Sequence, residues 1–243
     1  MTNTSTNLRR SLAPLNGATN VTRIPFVASA AVVSNDPKPG QGAAPEAIVG
    51  VPAHADAARN SRQKEWIGRE AARLCSAGEA VMIDGGSTTL QMCRHLAGLQ
   101  LQVLTNSLHI VNSLLPQRGT RVLLPGGQVF PEQNVILSAA VDDDMPRFYA
   151  PKLFMGAAVL GPDGLSQADF ILVAAKRRLI DRAEKIVVLV DSSKFDGTSG
   201  QVVCGLEEID VVVTDAGITR QNAEMLRRNQ VKLIIATSHR ERS

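Results

Sequence analysis

Six consecutive residues, Asp84-Gly85-Gly86-Ser87-Thr88-Thr89, carry the chemistry of an anion-binding turn. The two glycines let the backbone turn tightly. The residues after them can open a helix, whose first amides lack intrahelical partners and whose dipole favours negative charge. Ser87, Thr88 and Thr89 add hydroxyl donors. A phosphate group suits these donors; so does a plain capped turn in which Ser87 or Thr88 serves only the helix end. Spacing excludes two well-known alternatives. No lysine follows the glycines, as a P-loop requires, and the GxGxxG spacing of a dinucleotide fingerprint is absent.

Other polar loops follow apolar runs. Thr105-Asn106 comes after Leu101–Leu104, and Gly126-Gly127 after Arg121–Leu124. Asn106 is read equally as a ligand contact or a helix cap. Asp191-Ser192-Ser193-Lys194-Phe195 follows the apolar run 186–190. There Lys194 could neutralise a phosphate or carboxylate and Asp191 could accept from sugar hydroxyls; a solvated surface turn is the alternative. In Gly164-Leu165-Ser166-Gln167-Ala168-Asp169, Gln167 and Asp169 are further candidates, and Asp169 equally suits the acidic start of a helix.

Covalent and metal chemistry find little support. The chain has no nucleophile elbow, no His-rich metal set and no Cys-His arrangement. No catalytic residue, metal or cofactor is assigned. His95 and His109 fall inside expected helices, where packing or surface roles suffice. An isomerase would need a poised carboxylate and a group that stabilises an enediolate. Asp84, Asp169 and Lys194 could supply these only if the fold brought them together.

The elements that must position these loops are legible from residue 62 onward. Trp66, Ile67, Ala71 and Leu74 share one face of a helix over about 62–76, ended by Gly78. Strands are expected at 80–83, 101–104 and 121–124, with helices from Ser87 or Thr88 to about Leu96 and from Asn106 or Ser107 to Pro116. The stretch 128–150, with Asp142-Asp143-Asp144, is less regular and could hold a short helix. A strand over 152–159, a turn at Pro162-Asp163-Gly164 and a helix over about 169–182 follow. Then come strands at 186–190 and 209–214, a helix over 219–228 and a strand over 231–236. Strand-helix alternation at this pitch predicts an α/β domain with a mostly parallel sheet. Its strands lack strict polar alternation, as a sheet covered on both faces requires. Open parallel sheets bind ligands outside their carboxyl ends, where all these loops would lie.

Whole-chain properties narrow the class further. The net charge of +3 is too small to argue for nucleic acid, and Lys176-Arg177-Arg178 and Arg227-Arg228 are read as solvated helix faces, with contact to an anion or polymer as the alternative. The three cysteines, Cys75, Cys93 and Cys204, form no CxxC pair and suit buried thiols in a reducing compartment. No apolar stretch reaches the roughly 18 residues of a membrane span. A cytoplasmic protein with no membrane partner is expected. Residues 1–60 form a separate region rich in Asn, Thr, Ser, Ala, Gly and Pro, read as an irregular or flexible leader in which 24–33 could be one strand. Residues 61–238 form the domain and 239–243 a tail.

Residues 62–237 resemble the C-terminal effector-sensing domain of DeoR-family bacterial transcriptional regulators. The resemblance runs through Ile67-Gly68, Asp84–Thr89, Leu104-Thr105-Asn106-Ser107, Leu124-Pro125-Gly126-Gly127, Phe154-Met155-Gly156, Asp191-Ser192-Ser193-Lys194-Phe195 and Thr214-Asp215-Ala216-Gly217-Ile218. It implies a three-layer αβα fold similar to the NagB/RpiA/CoA transferase-like fold, and binding of a phosphorylated sugar or related metabolite. It also implies an oligomeric repressor of carbohydrate-use genes. By position, Asp84 to Thr89 would hold the phosphate, and Asn106, Gly126, Gly127 and Lys194 would line the same pocket.

Two departures stand out. Where the family commonly carries acidic residues early in the helix after Asp169, this chain has Phe170-Ile171-Leu172-Val173-Ala174. This weakens an isomerase reading and points to a different effector. The family's N-terminal winged helix-turn-helix has no counterpart in residues 1–60, which hold five basic and three acidic residues and no set of amphipathic helices. Operator DNA is then a partner only if a relative supplies that module or it escapes this reading. A sensor-only partner of a DNA-binding relative is the alternative to a regulator acting alone.

Overall fold

The computed structural model describes residues 58–137, 148–197 and 200–238. Residues 1–57, the Asp142-Asp143-Asp144 run and the 239–243 tail lie outside the described residues.

Seven parallel strands make the central sheet: β1 (Ala80–Ile83), β2 (Gln102–Leu104), β3 (Arg121–Leu123), β6 (Ala150–Gly156), β9 (Ala183–Leu189), β11 (Val211–Asp215) and β12 (Lys232–Ala236). Their order is β12-β11-β9-β6-β1-β2-β3, and every neighbouring pair is parallel. Among the described residues five α-helices flank them: α1 (Ser61–Ala72), α2 (Ser87–Cys93), α3 (Leu108–Leu114), α4 (Phe170–Ile180) and α5 (Arg220–Arg228).

Alternate side chains of each strand enter two cores. Val81, Ile83, Phe154, Val187, Leu189 and Val213 pack with Ile67 and Ala71 of α1, Met92 of α2 and Ile110 and Leu114 of α3. Met82, Leu153, Met155, Ile186, Val188 and Val212 pack with Leu179 of α4 and Leu226 of α5. This is a three-layer αβα arrangement, and it explains why the strand sequences are apolar at consecutive positions. Each fully buried side chain of this size contributes about 2 kcal/mol. α1 and α2 approach so closely that a Cβ on Gly68 would stand 2.6 Å from the amide nitrogen of Met92.

Chain direction reverses at the centre of the sheet. From β1 the chain moves outward through α2, β2, α3 and β3. From β6 it moves the other way, through α4 and β9 to β11, α5 and β12. The junction of β1 and β6 is therefore a topological switch point, the place where open α/β sheets form a crevice at their carboxyl ends.

Two smaller sheets lie outside the expected alternation. The stretch 128–137 contains no helix; it is a hairpin of β4 (Gln128–Phe130) and β5 (Val135–Leu137). β7 (Val159–Gly161), β8 (Gly164–Gln167) and β10 (Gln201–Cys204) form an antiparallel sheet. The strand expected over 152–159 is thus two strands, β6 and β7. The Pro162-Asp163 turn joins β7 to β8, with Gly164 at φ 102 where a Cβ would strike Cys204 O. Among the described residues no helix is long and apolar enough to cross a membrane.

Candidate functional site

The Asp84 loop begins where β1 ends and is held by its own backbone. The Asp84 amide donates to Phe154 O at 2.9 Å, continuing the β1–β6 ladder by one residue. Thr89 is fully buried, and its hydroxyl lies 2.8 Å from Asp84 O and 2.9 Å from Gly86 O. With a single proton to donate, that hydroxyl closes the loop from inside. The helix cap differs from expectation: Gly86, with extended backbone, is the N-cap of α2, and no side chain caps it. Ser87 and Thr88 lie inside the first turn instead.

The central side chain of the site is one the sequence reading put in solvent. Lys176 is buried, and its ammonium donates to Asp84 Oδ2 and, at 3.0 Å, to Gly156 O. It therefore joins the carboxyl ends of β1 and β6 across the switch point. Helical side chains lean toward the N-terminus of their helix, so a lysine two turns into α4 carries its charge back to this edge of the sheet. Lys176 stands three and four residues before Leu179 and Ile180, both buried, and that helical spacing was the available signal. The flanking arginines hid it. Arg177 does have the expected surface character: it pairs with Glu208 at 2.7 Å and Asp181 at 3.2 Å, and its pKa is raised chiefly by the Glu208 hydrogen bond.

The remaining candidates spread along the same edge. Extending the β1–β2 register sets Asn106 level with Asp84. Asn106 is 3% exposed, and its Oδ1 has no partner. Thr105 is fully buried and accepts from Ser107 N at 3.1 Å, bracing the turn, while Ser107 caps α3. Gly126 and Gly127 follow β3 and are exposed. β3 stands four strand spacings from β9, so these glycines and the loop of Lys194 lie about 19 Å apart in the sheet direction. A single phosphate cannot touch both.

Gln167 is the last residue of β8, paired with Gln201, rather than part of a loop. Asp169 is the N-cap of α4: Oδ1 accepts from Ile171 N at 2.9 Å, and Oδ2 accepts from Gln133 Nε2 at 2.8 Å. The cation that meets Asp84 is Lys176. The Asp191 loop is a 3-10 turn (Ser192–Lys194) tied to its surroundings. Asp191 Oδ1 accepts from Ser193 N at 3.1 Å and from Asn60 Nδ2 at 2.8 Å, while Asp215 accepts from Ser192 N at 2.7 Å.

Comparison with known proteins decides the family. Residues 59–216 match the model of the DeoR C-terminal sensor domain. The chain belongs to the DeoR family. The sensor domain is 31% identical over 176 residues to the HTH-type transcriptional repressor GlcR of Bacillus subtilis, covering 72% of this chain and 68% of the relative. It is 29% identical over 178 residues to the HTH-type transcriptional regulator UlaR of Escherichia coli, covering 73% and 70%.

Among solved structures it is similar to ribose 5-phosphate isomerase A from Methanocaldococcus jannaschii, with TM-score 0.43, 17% identity and coverage of 56% of this chain and 55% of that one. It is also similar to eIF2B delta from Chaetomium thermophilum, with TM-score 0.41, 15% identity and coverage of 57% and 50%. The chain thus spans about half the length of these structures.

Proposed function

We propose that this DeoR sensor domain binds a phosphorylated sugar or related metabolite at the β1/β6 switch point, as the effector-sensing part of a transcriptional repressor of carbohydrate-use genes. The supporting observation is the bridge from Lys176 to Asp84 and Gly156 O. Left alone, the Asp84 carboxylate would repel an anion from the amides of Gly85 to Thr88. Lys176 cancels that charge and holds the two strand ends in register, so that a phosphate can approach the amides and hydroxyls of the loop. A buried ion pair is an inefficient source of stability, which makes a binding role the better account of it. Lys194 adds a second cation on the β9 side.

A thermal-shift and calorimetric screen of phosphorylated sugars, their unphosphorylated forms and sugar acids tests this, because a ligand of the folded state raises the melting temperature. Stabilisation is expected to require the phosphate and to weaken in Thr88→Ala, Lys194→Ala and most of all Lys176→Met. Equal stabilisation by unphosphorylated sugars would remove the phosphate from the reading. Turnover of the bound sugar phosphate is a second reading, favoured by the same Asp84–Lys176 pair. Product from ribose 5-phosphate, lost in Lys176→Met, would establish it. Salt-dependent operator binding by the purified chain would support a regulator acting alone. Effector binding without it supports a sensor that works through a DNA-binding relative.

A further inference from the structure

The β4–β5 hairpin is the part of the edge that the phosphate site does not use. Its second strand is fastened to the end of β2: Ile136 N donates to Asn106 O at 2.8 Å, Leu108 N donates to Asn134 O at 3.0 Å, and Val135 bridges Ser107. Its turn is fastened to the start of α4 by Gln133 Nε2 on Asp169 Oδ2. Between these anchors it crosses the Asp84 loop, where a Cβ on Gly85 would touch both Ser107 and Val135. The hairpin is a strap from β2 to α4 over the loop that would hold the phosphate.

The strap and the strand end beneath it present acceptors in need of donors. Gln133 Oε1 and Asn106 Oδ1 are both buried and without a hydrogen-bond partner. The orientation of Gln133 is set by chemistry, because a carboxylate can only accept, so the amide nitrogen must face Asp169. Its oxygen is left directed away from Asp169. A buried acceptor without a donor is costly, and the identity of the missing donor follows from the neighbours. A carboxylate or a fully ionised phosphate ester has no proton to give. The polyol body of a sugar phosphate carries hydroxyl groups, each able to donate one proton. A hydroxyl group is the donor that suits both oxygens.

We propose that the β4–β5 strap is the specificity element of this site: Gln133, oriented by Asp169, and Asn106 receive hydroxyl groups from the polyol body of the ligand. The inference rests on the sugar-phosphate reading and adds which residues distinguish the sugar from its phosphate. Asp169 is here a positioning residue, and the phosphate is held elsewhere, at Gly85 to Thr88.

The test compares the affinities of inorganic phosphate, glycerol 3-phosphate and a panel of phosphorylated pentoses and hexoses for the wild-type chain and for Gln133→Met. Methionine keeps the bulk and removes the acceptor, on a half-exposed turn, and the melting temperature without ligand reports that the fold is intact. The wild type is expected to bind at least one sugar phosphate more tightly than inorganic phosphate. Gln133→Met is expected to lower that affinity about tenfold, close to one hydrogen bond's worth, while inorganic phosphate binds as before. Equal weakening of both ligands, or of neither, overturns the proposal. A wild type that binds sugar phosphates no better than inorganic phosphate overturns it while leaving the phosphate site standing. A wild type that binds no phosphate compound overturns both.

Discussion

Two loops of this domain look alike in sequence and behave differently in the fold. Asp84-Gly85-Gly86-Ser87 and Asp191-Ser192-Ser193-Lys194 each place an aspartate and small polar residues after a buried parallel strand. At Asp191 the carboxylate meets only neutral donors: one oxygen accepts from the Ser193 amide and hydroxyl and from the Asn60 side chain, the other is buried without a partner, and the loop is tied sideways to Asp215. At Asp84 the carboxylate reaches a lysine 92 residues away on another helix. A carboxylate held by neutral amides and hydroxyls caps its turn and recruits no cation. A carboxylate that needs a remote cation ties two layers of the fold together, and here it does so at the switch point.

The largest test of this contrast is removal of the remote cation. Lys176→Ala leaves Asp84 buried and unpaired, and is expected to lower stability by about 3–5 kcal/mol in urea denaturation. Replacing both partners together, Lys176→Met with Asp84→Leu, should recover most of that loss while effector binding stays absent. Failure to recover would mean that the pair stabilises the fold in its own right.

Asp191→Ala removes a local cap and the Asn60 contact, and is expected to cost only about 1–2 kcal/mol. A loss as large as that of Lys176→Ala would erase the distinction between the two loops.

The smallest expected effect lies behind the Asp84 loop. Cys93, on α2, donates to Thr89 O at 3.5 Å, and burial pushes its thiol from 9.0 up to about 12. Between those values the unfolded chain releases this proton and the folded chain keeps it, so stability should fall as pH rises above 9. The fall should be shallower in Cys93→Ala. At pH 8 the folded thiolate fraction is about one in ten thousand, so a thiol reagent should label Cys93 only on unfolding.

The order of strands and helices was readable because each element carries its own signal. Ala80–Ile83 is apolar between Gly78 and Asp84, and Ser107 and Thr219 each cap the helix that follows. The small sheets were harder. β4, β7 and β10 are three or four residues long, too short to show a period, and β10 is defined by a partner, β8, distant in the chain. Gln133 stood in a stretch without regular pattern, so nothing local marked it.

The sequence by itself determined the alternation, the parallel sheet and the loops at its carboxyl edge, because periodicity, glycines and caps act over a few residues. It also carried enough likeness to name the family. Only the tertiary structure decided which charges meet. Lys176 became the partner of Asp84 because the order of strands reverses at the junction of β1 and β6 and α4 brings its ammonium to that junction, and no spacing along the chain encodes that encounter. The same packing brought Gln133 to Asp169. Local interactions are written in neighbouring residues, whereas the pairing of buried polar groups depends on which elements the cores on either face of the sheet bring together.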